Sequence, residues 1–526
     1  MELTARNRSG TVAARDAARC PAPPGGPPEH WRLPMTTRSL SAIAALGMAL
    51  FAAAAQAETK LVIGLQQEPT SLDPTSDATA SIDGMLTQNV YESLTTVAPT
   101  GDVLPQLAES WTVSDNGLTY TFKLAQGVKY HDGTDFDSAD VLFAFNRAMA
   151  EGSTNPSKGY FKPIASVEAP DAQTVVITLK KKDAFFLFNM AQGDASIVAE
   201  ESVDGNATTP IGTGPFKYDS WTRGDRLTLV KNPDWRGASG VQLDKVEFRF
   251  IADPAAAAAA IMSDEIDAYP GFGAPEMLPQ FEADPRFSVN VGSTEGEVIL
   301  AMNNSKPPFD NIEVRRAVST AIDREEIIEG AMYGVAVPIG SFYPPHGSAY
   351  VDLTGAYPHD AAKAKAMFEA AGVAGTTMTL RVPPFAYATR SAEIIQAELA
   401  EAGIDAKVEN VEWGFWLDEV YKKKNYDMTI IAHTSPNDMG NFARGPDYFY
   451  GYNDPKMTAL WDSISTEADD AKRAELLKEG QKYLSDQAVH GFLFQLPQIS
   501  IIKTNVKGFW QSSPVLFQPL AGITVE

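Results

Sequence analysis

The residues best suited to chemistry stand in one polar run after an apolar strand: His433-Thr434-Ser435-Pro436-Asn437-Asp438-Met439-Gly440-Asn441-Phe442-Ala443-Arg444. The run follows Met428 to Ala432, so its polar groups emerge at a strand end, where ligands commonly sit in α/β folds. The chemistry on offer is recognition. An ionised Asp438 forms charge-assisted hydrogen bonds with a cation, and the imidazole of His433 can donate or accept. Each has a structural role open to it as well. Asp438 can close an Asx turn with Asn437 and Gly440, and His433 can be a satisfied strand-end histidine.

Four aromatics and two arginines complete the candidate set. Trp413 and Trp416, in Glu412-Trp413-Gly414-Phe415-Trp416, and Phe342 and Tyr343, in Ser341-Phe342-Tyr343, offer area and an oriented quadrupole to a side chain, a sugar or a cation. Each is equally suited to core packing. Arg390 and Arg444 can grip a carboxylate through the guanidinium fork or make a surface ion pair. Covalent or metal chemistry has no such footing. The sequence lacks a Gly-x-Ser-x-Gly turn, a His-Glu-x-x-His helix, a phosphate loop and a dinucleotide fingerprint. The histidines His30, His131, His346, His359, His433 and His490 are dispersed without metal-ligand spacing. No catalytic residue, metal or cofactor is expected, and an exported hydrolase would need a nucleophile and base that converge only in space.

Charge narrows the partners. A net charge of -24 and a pI near 4.7 exclude phosphate-rich surfaces, which demand clustered Lys and Arg. A secretory signal is readable from Met35: Arg38 is the positive start, Leu40 to Ala55 the apolar stretch, and Ala55-Gln56-Ala57 the small-residue cleavage pattern. The stretch falls short of a spanning helix, and Glu58-Thr59-Lys60 follows. Cleavage after Ala57 is therefore expected, with translation starting at Met35 and residues 1–34 forming a Pro-rich extension. Cys20, the only cysteine, precedes that site, so the mature chain would hold no thiol for a disulfide, a metal or a lipid tether.

The elements that must position these residues are of mixed α/β class. Strands are predicted at Leu61 to Gln66, Leu118 to Leu124, Thr174 to Leu179, Arg226 to Lys231, Lys245 to Ile251, Met428 to His433 and Ile499 to Lys503. Helices are predicted after Asp137, Asp323 and Asp360 as N-caps, with stops at Gly334, Gly372 and Gly403. The alanines from Ala255 to Ala260, entered through Pro254, read as a helix too. Gly212-Thr213-Gly214-Pro215 suits a tight reversal at a crossover, and Arg315 and Arg316 suit the solvated face of a helix near Glu313.

The order of several segments resembles the family 5 extracellular solute-binding proteins, the dipeptide- and oligopeptide-binding receptors of ABC importers. The segments are Gln67-Glu68-Pro69-Thr70-Ser71-Leu72-Asp73-Pro74, Tyr91-Glu92-Ser93-Leu94, Leu104 to Trp111, Val128 to Thr134, Gly212 to Phe216, Val314 to Val318 and Ala321 to Arg324. The resemblance implies an α/β fold like the type II periplasmic binding proteins, two lobes with an inserted extra domain and hinge crossover strands. It implies lobe I from 58–100, 211–300 and 505–526, an inserted domain over 101–210 and lobe II over 301–504. It further implies a monomeric periplasmic receptor that closes on a peptide or similar polar solute and delivers it to an inner-membrane permease and ATPase. Asp438 falls near the position at which peptide receptors of the family present an Asp to the α-ammonium group. His433 stands where they usually have an aromatic residue, which leaves an oligosaccharide, glycoside or opine-like solute as the alternative.

Overall fold

The computed structural model describes residues 58–77 and 79–526; the signal segment, Met35 and Cys20 lie outside the described residues. The chain begins lobe I with β1 (Lys60–Leu65) and then builds a separate antiparallel sheet from β2 (Ala108–Val113), β3 (Thr119–Leu124), β4 (Ile164–Asp171) and β5 (Thr174–Leu179), in the order β2-β3-β5-β4. Helix α1 (Ser138–Met149) covers this sheet with Val141, Ala144, Phe145 and Ala148 buried. Its start is fixed by Asp137: the carboxylate accepts from the Ala139 N–H at 2.7 Å, while Asp140 accepts from the Asp137 N–H at 2.9 Å.

Lobe I resumes with β6 (Phe216–Thr222), β7 (Arg226–Lys231), β8 (Lys245–Phe250), the alanine helix α2 (Pro254–Met262), β9 (Ala268–Pro270) and β10 (Phe287–Gly292). Lobe II holds β11 (Glu297–Met302), α3 (Ile312–Ala321), α4 (Arg324–Met332), β12 (Val337–Pro338), α5 (Ala361–Ala370), β13 (Thr377–Val382), α6 (Ala386–Glu401), β14 (Asp405–Asn410), β15 (Met428–His433), α7 (Pro455–Thr466), α8 (Asp470–Asp486) and β16 (His490–Gln495). The chain then returns to lobe I as β17 (Gln498–Lys503). The lobe I sheet runs β10-β17-β9-β1-β8-β7-β6, with β1 parallel to both β8 and β9. The lobe II sheet runs β12-β16-β11-β15-β13-β14, antiparallel around β11 and parallel around β13. Separate apolar cores fill the two lobes. No helix among the described residues is long and apolar enough to cross a membrane.

Two short passages, residues 293–296 and 496–497, join the sheets, and they lie side by side. Thr294 Oγ1 donates to Leu496 O at 2.7 Å, and the Leu496 N–H donates to Gly296 O at 2.7 Å. The sheets divide the chain differently from the expected lobe ranges. β17 pairs with β9 and β10 in lobe I, whereas lobe II was expected to reach 504; β11 enters lobe II at Glu297 rather than at 301. Pro497 carries no N–H for a ladder bond and ends β16, so two neighbouring apolar runs belong to different sheets.

Two other expectations are corrected. Gly212 and Gly214 mark close packing within lobe I rather than a crossover between lobes: a Cβ on Gly212 would strike Val90 O, and one on Gly214 would lie 2.5 Å from Asn89 O. Arg316 does pair with Glu313 at 2.9 Å, but Arg315 is buried, with 6% of its surface accessible. Its guanidinium donates to the carbonyls of Phe309, Gln487 and Ala488 at 2.8, 3.0 and 3.2 Å, because the turn that leaves α8 passes beside this face of α3.

Candidate functional site

The ends of β11, β15 and β16 nearest the crossovers bring three polar residues into a row. Glu297 stands opposite His433 on one side and Gln495 on the other, and directly opposed residues of antiparallel strands share a face. His433 Nε2 lies 2.7 Å from Tyr450 Oη, and Nδ1 lies 3.5 Å from Asp438 Oδ2. The imidazole stacks on Phe449, with centroids 5.9 Å apart and planes 19° from parallel. Asn437, at φ +65°, turns the chain so that Asp438 folds back toward the strand end. The Asp438 carboxylate accepts from the Ser435 N–H at 3.3 Å and from Asn441 Nδ2 at 2.9 Å. Its local bonds therefore involve Ser435 and Asn441 rather than the expected Asn437 and Gly440. The His433 and Asp438 side chains keep 12% and 17% of their surface accessible, so both stay within reach of solvent instead of filling a core. A carboxylate has about four lone-pair sites, which leaves Asp438 acceptor capacity for a ligand.

The other predicted residues sort by depth. Phe342 is in the core, edge-on to Phe442 at 5.1 Å and to His433 at 5.6 Å. Trp416 is also core, with Nε1 donating to Thr429 Oγ1 at 2.9 Å. Trp413 stacks on Trp416 at 5.0 Å and stays 38% exposed, with Phe385 edge-on at 5.3 Å. Rings run without a break from this exposed pair through Trp416 and Phe449 to His433. Tyr343 lies near Glu295 and Glu297; burial first, and then those two carboxylates, push its pKa up to about 12. Arg390 is held by Glu276 of lobe I at 2.7 Å. Arg444 lies over the Tyr448 ring at 4.2 Å and donates to Asn441 Oδ1 at 3.3 Å. Phe342 and Trp416 thus take the core-packing alternative, and Arg390 the ion-pair one.

Several residues of the recess were not legible as site residues. The Glu295 carboxylate lies 2.9 Å from His346 Nε2 and accepts from it when that nitrogen carries the proton. Tyr160 has a raised pKa, from burial first and then from Asp194 and Asp438. Asp83 and Asp194, on the lobe I side, are pushed up to about 7 and about 6, chiefly by burial. Phe185 of the inserted domain stacks on Trp461 of lobe II; beside it the Ala184 N–H donates to Ser465 O at 2.7 Å and Lys181 pairs with Asp462 at 3.0 Å. The one available signal was Glu297 itself, a carboxylate opening the otherwise apolar strand Val298–Met302.

Two sheets joined by a paired crossover, with polar side chains gathered at the strand ends between them, define a two-lobed solute receptor of the type II periplasmic binding protein fold. The chain belongs to the bacterial extracellular solute-binding proteins, family 5, whose middle region matches residues 102–457. It is a transport receptor of the kind that serves ABC importers, not an enzyme. The chain is 32% identical over 489 residues to the di/tripeptide-binding protein 1 of Pseudomonas aeruginosa, covering 84% of this chain and 90% of that one. Among solved structures, AgaA of A. tumefaciens in complex with agropinic acid superposes with a TM-score of 0.78 at 26% identity, covering 89% of this chain and 99% of that one. DppA of Helicobacter pylori in complex with a peptide gives a TM-score of 0.77 at 26% identity, covering 89% and 98%.

Proposed function

We propose that the chain captures a peptide, or another polar organic solute bearing a free amine, between its lobes and delivers it to a membrane permease driven by a cytoplasmic ATPase. It does so as a monomer in the periplasm, after cleavage following Ala57. The observation that carries this reading is the Asp438 carboxylate at the end of β15, oriented by Ser435 and Asn441 and backed by His433, with acceptor capacity left over. An amine placed there gains charge-assisted hydrogen bonds in a recess from which closure excludes water. Lobe closure follows when the ligand binds the closed arrangement better than the open one.

The family relationship to a di/tripeptide-binding protein supports the peptide class. The exposed face of Trp413 and the likeness to an agropinic acid receptor favour a second reading, a sugar-derived or opine-like solute. Mass spectrometry of the molecule released by denaturing the purified protein separates the two, and recovery of that molecule chemically unchanged is expected of a receptor. Calorimetry should show dipeptides binding to the wild type and Asp438→Asn weakening them at least about tenfold, the worth of a charge-assisted pair. Stabilisation by neutral glycosides alone, with every amine failing, would overturn the amine anchor.

A further inference from the structure

Glu297 is the one carboxyl of the recess without a complete set of partners. Only 4% of its surface is accessible, and its Oε2 has no hydrogen-bond partner among the described residues. The donors around it are already engaged. Gln495 Nε2 donates to Thr294 O at 2.6 Å, His433 Nε2 meets Tyr450 Oη, and His346 Nε2 meets Glu295. The groups that face it are the carboxylates of Glu295 and Asp438, the hydroxyls of Tyr343 and Tyr450, and the imidazole of His433. No Lys or Arg among the described residues pairs with it. An uncharged side chain would fill this position at lower cost, since a buried acid with an orphan oxygen is stabilised only by a partner that neutralises or bonds it. Glu297 stands one strand spacing from His433, about 4.8 Å, and His433 is 3.5 Å from Asp438. His433 thus stands between Glu297, opposite it on β11, and Asp438, at the same end of the sheet.

We propose that Glu297 is a specificity-determining residue that takes a second cationic group of the ligand, so that the cleft selects solutes with two positive centres, such as peptides beginning with lysine. The inference rests on the reading of Asp438 as the anchor for the first amine. Burial, then Glu295 and Asp438, hold the Glu297 pKa well above the usual carboxylate range. Burial thus favours the protonated acid while the site is empty. A cation beside it favours the carboxylate, and the proton leaves to solvent. Affinity for a dicationic ligand accordingly rises with pH, whereas affinity for a monocationic one does not draw on this group.

The test is isothermal titration calorimetry with Lys-Ala, Ala-Ala and cadaverine at pH 7, in two buffers of different ionisation enthalpy. The wild type is expected to bind Lys-Ala at least about tenfold more tightly than Ala-Ala, the scale of one charge-assisted pair, and to release more protons with Lys-Ala. Glu297→Gln, nearly isosteric, should remove both the preference for Lys-Ala and the extra proton release. The proton count on the wild type stands even if that variant folds poorly. Equal affinities for the two dipeptides, or a preference that survives Glu297→Gln, overturns the role of Glu297 and leaves the Asp438 anchor intact. Binding of none of the three probes overturns both.

Discussion

Phe185 and Trp461 stack with ring centroids 5.7 Å apart and planes 12° from parallel. One ring follows β5, in the segment 101–210 expected as an inserted domain, and the other belongs to α7 of lobe II. Arg473 lies over Phe185 at 5.8 Å and extends the same contact. Such a ring pair contributes about 1 kcal/mol beyond its buried area. Where lobe closure brings the two rings together, that energy acts on the closing equilibrium and through it on ligand affinity. Phe185→Ala is expected to weaken the ligand about fivefold while leaving the denaturant midpoint of the ligand-free protein nearly unchanged. Calorimetry and urea titration on the same variant check this; a large loss of stability with unchanged affinity would place Phe185 in the core instead.

The Arg390–Glu276 pair also bridges the lobes, but by charge. Both side chains are about one third exposed, 31% and 32%, and the bond is 2.7 Å. A pair so exposed contributes at most about 1 kcal/mol. Arg390→Met should therefore weaken ligand binding less than about fivefold. The difference should vanish at 1 M NaCl, where the screening length is about 3 Å. A larger loss that persists in salt would instead make Arg390 a direct ligand contact.

What the sequence discloses of this molecule follows the reach of local pattern. Thr174–Leu179, Arg226–Lys231 and Met428–His433 are strands to the residue, since β-branched alternation and flanking turn residues both act locally. Asp137, Asp323 and Asp360 do cap helices, for the same reason. The loop with His433 and Asp438 stands out because polar residues follow an apolar strand. Arg315 could not be told from Arg316, because the periodicity of α3 does not record that the turn leaving α8 passes beside it. Glu297 opens an otherwise apolar run, but its place beside His433 emerges only when β15 and β16 are laid on either side of β11. Phe185 and Trp461 lie 276 positions apart in the chain, and nothing local to either marks the other.

Glu398 gives the fold a pH dependence of definite sign. It lies buried on α6, with Oε1 accepting from the Asp323 N–H at 3.0 Å and Oε2 without a partner among the described residues. Burial first, opposed by the Asp323 bond and assisted by Glu326 and Asp323, pushes its pKa from 4.5 up to about 8. Between those values the folded state holds a proton that the unfolded chain has released. Stability therefore falls as pH rises from about 4.5 to about 8, by up to about 1.4 kcal/mol per unit. Glu398→Gln keeps an acceptor for Asp323 and has no proton to lose. Melting curves should show the variant more stable than the wild type at pH 8 and equal to it near pH 4.5. Asp83 and Asp194 act with the same sign in both proteins, so the difference isolates Glu398. An unchanged gap across this range would refute the assignment.

The adjacent arginines of α3 should separate cleanly under mutation. Arg315 reaches three carbonyls, two of them on Gln487 and Ala488 just beyond α8, where a cation also meets the negative end of the helix. Ala488 holds φ +42°, a left-handed conformation unusual for a residue with a Cβ, and this clamp helps to over-determine it. Arg315→Met retains apolar length but leaves those carbonyls unsatisfied, at a cost of about 3 kcal/mol. Arg316→Met removes only partly exposed bonds to Glu313 and Asp486 O, and should stay within about 0.5 kcal/mol. Urea midpoints of the two variants, compared with the wild type, read the difference directly. If the midpoints shift equally, the three carbonyls do not depend on Arg315, and the end of α8 is held by its packing alone.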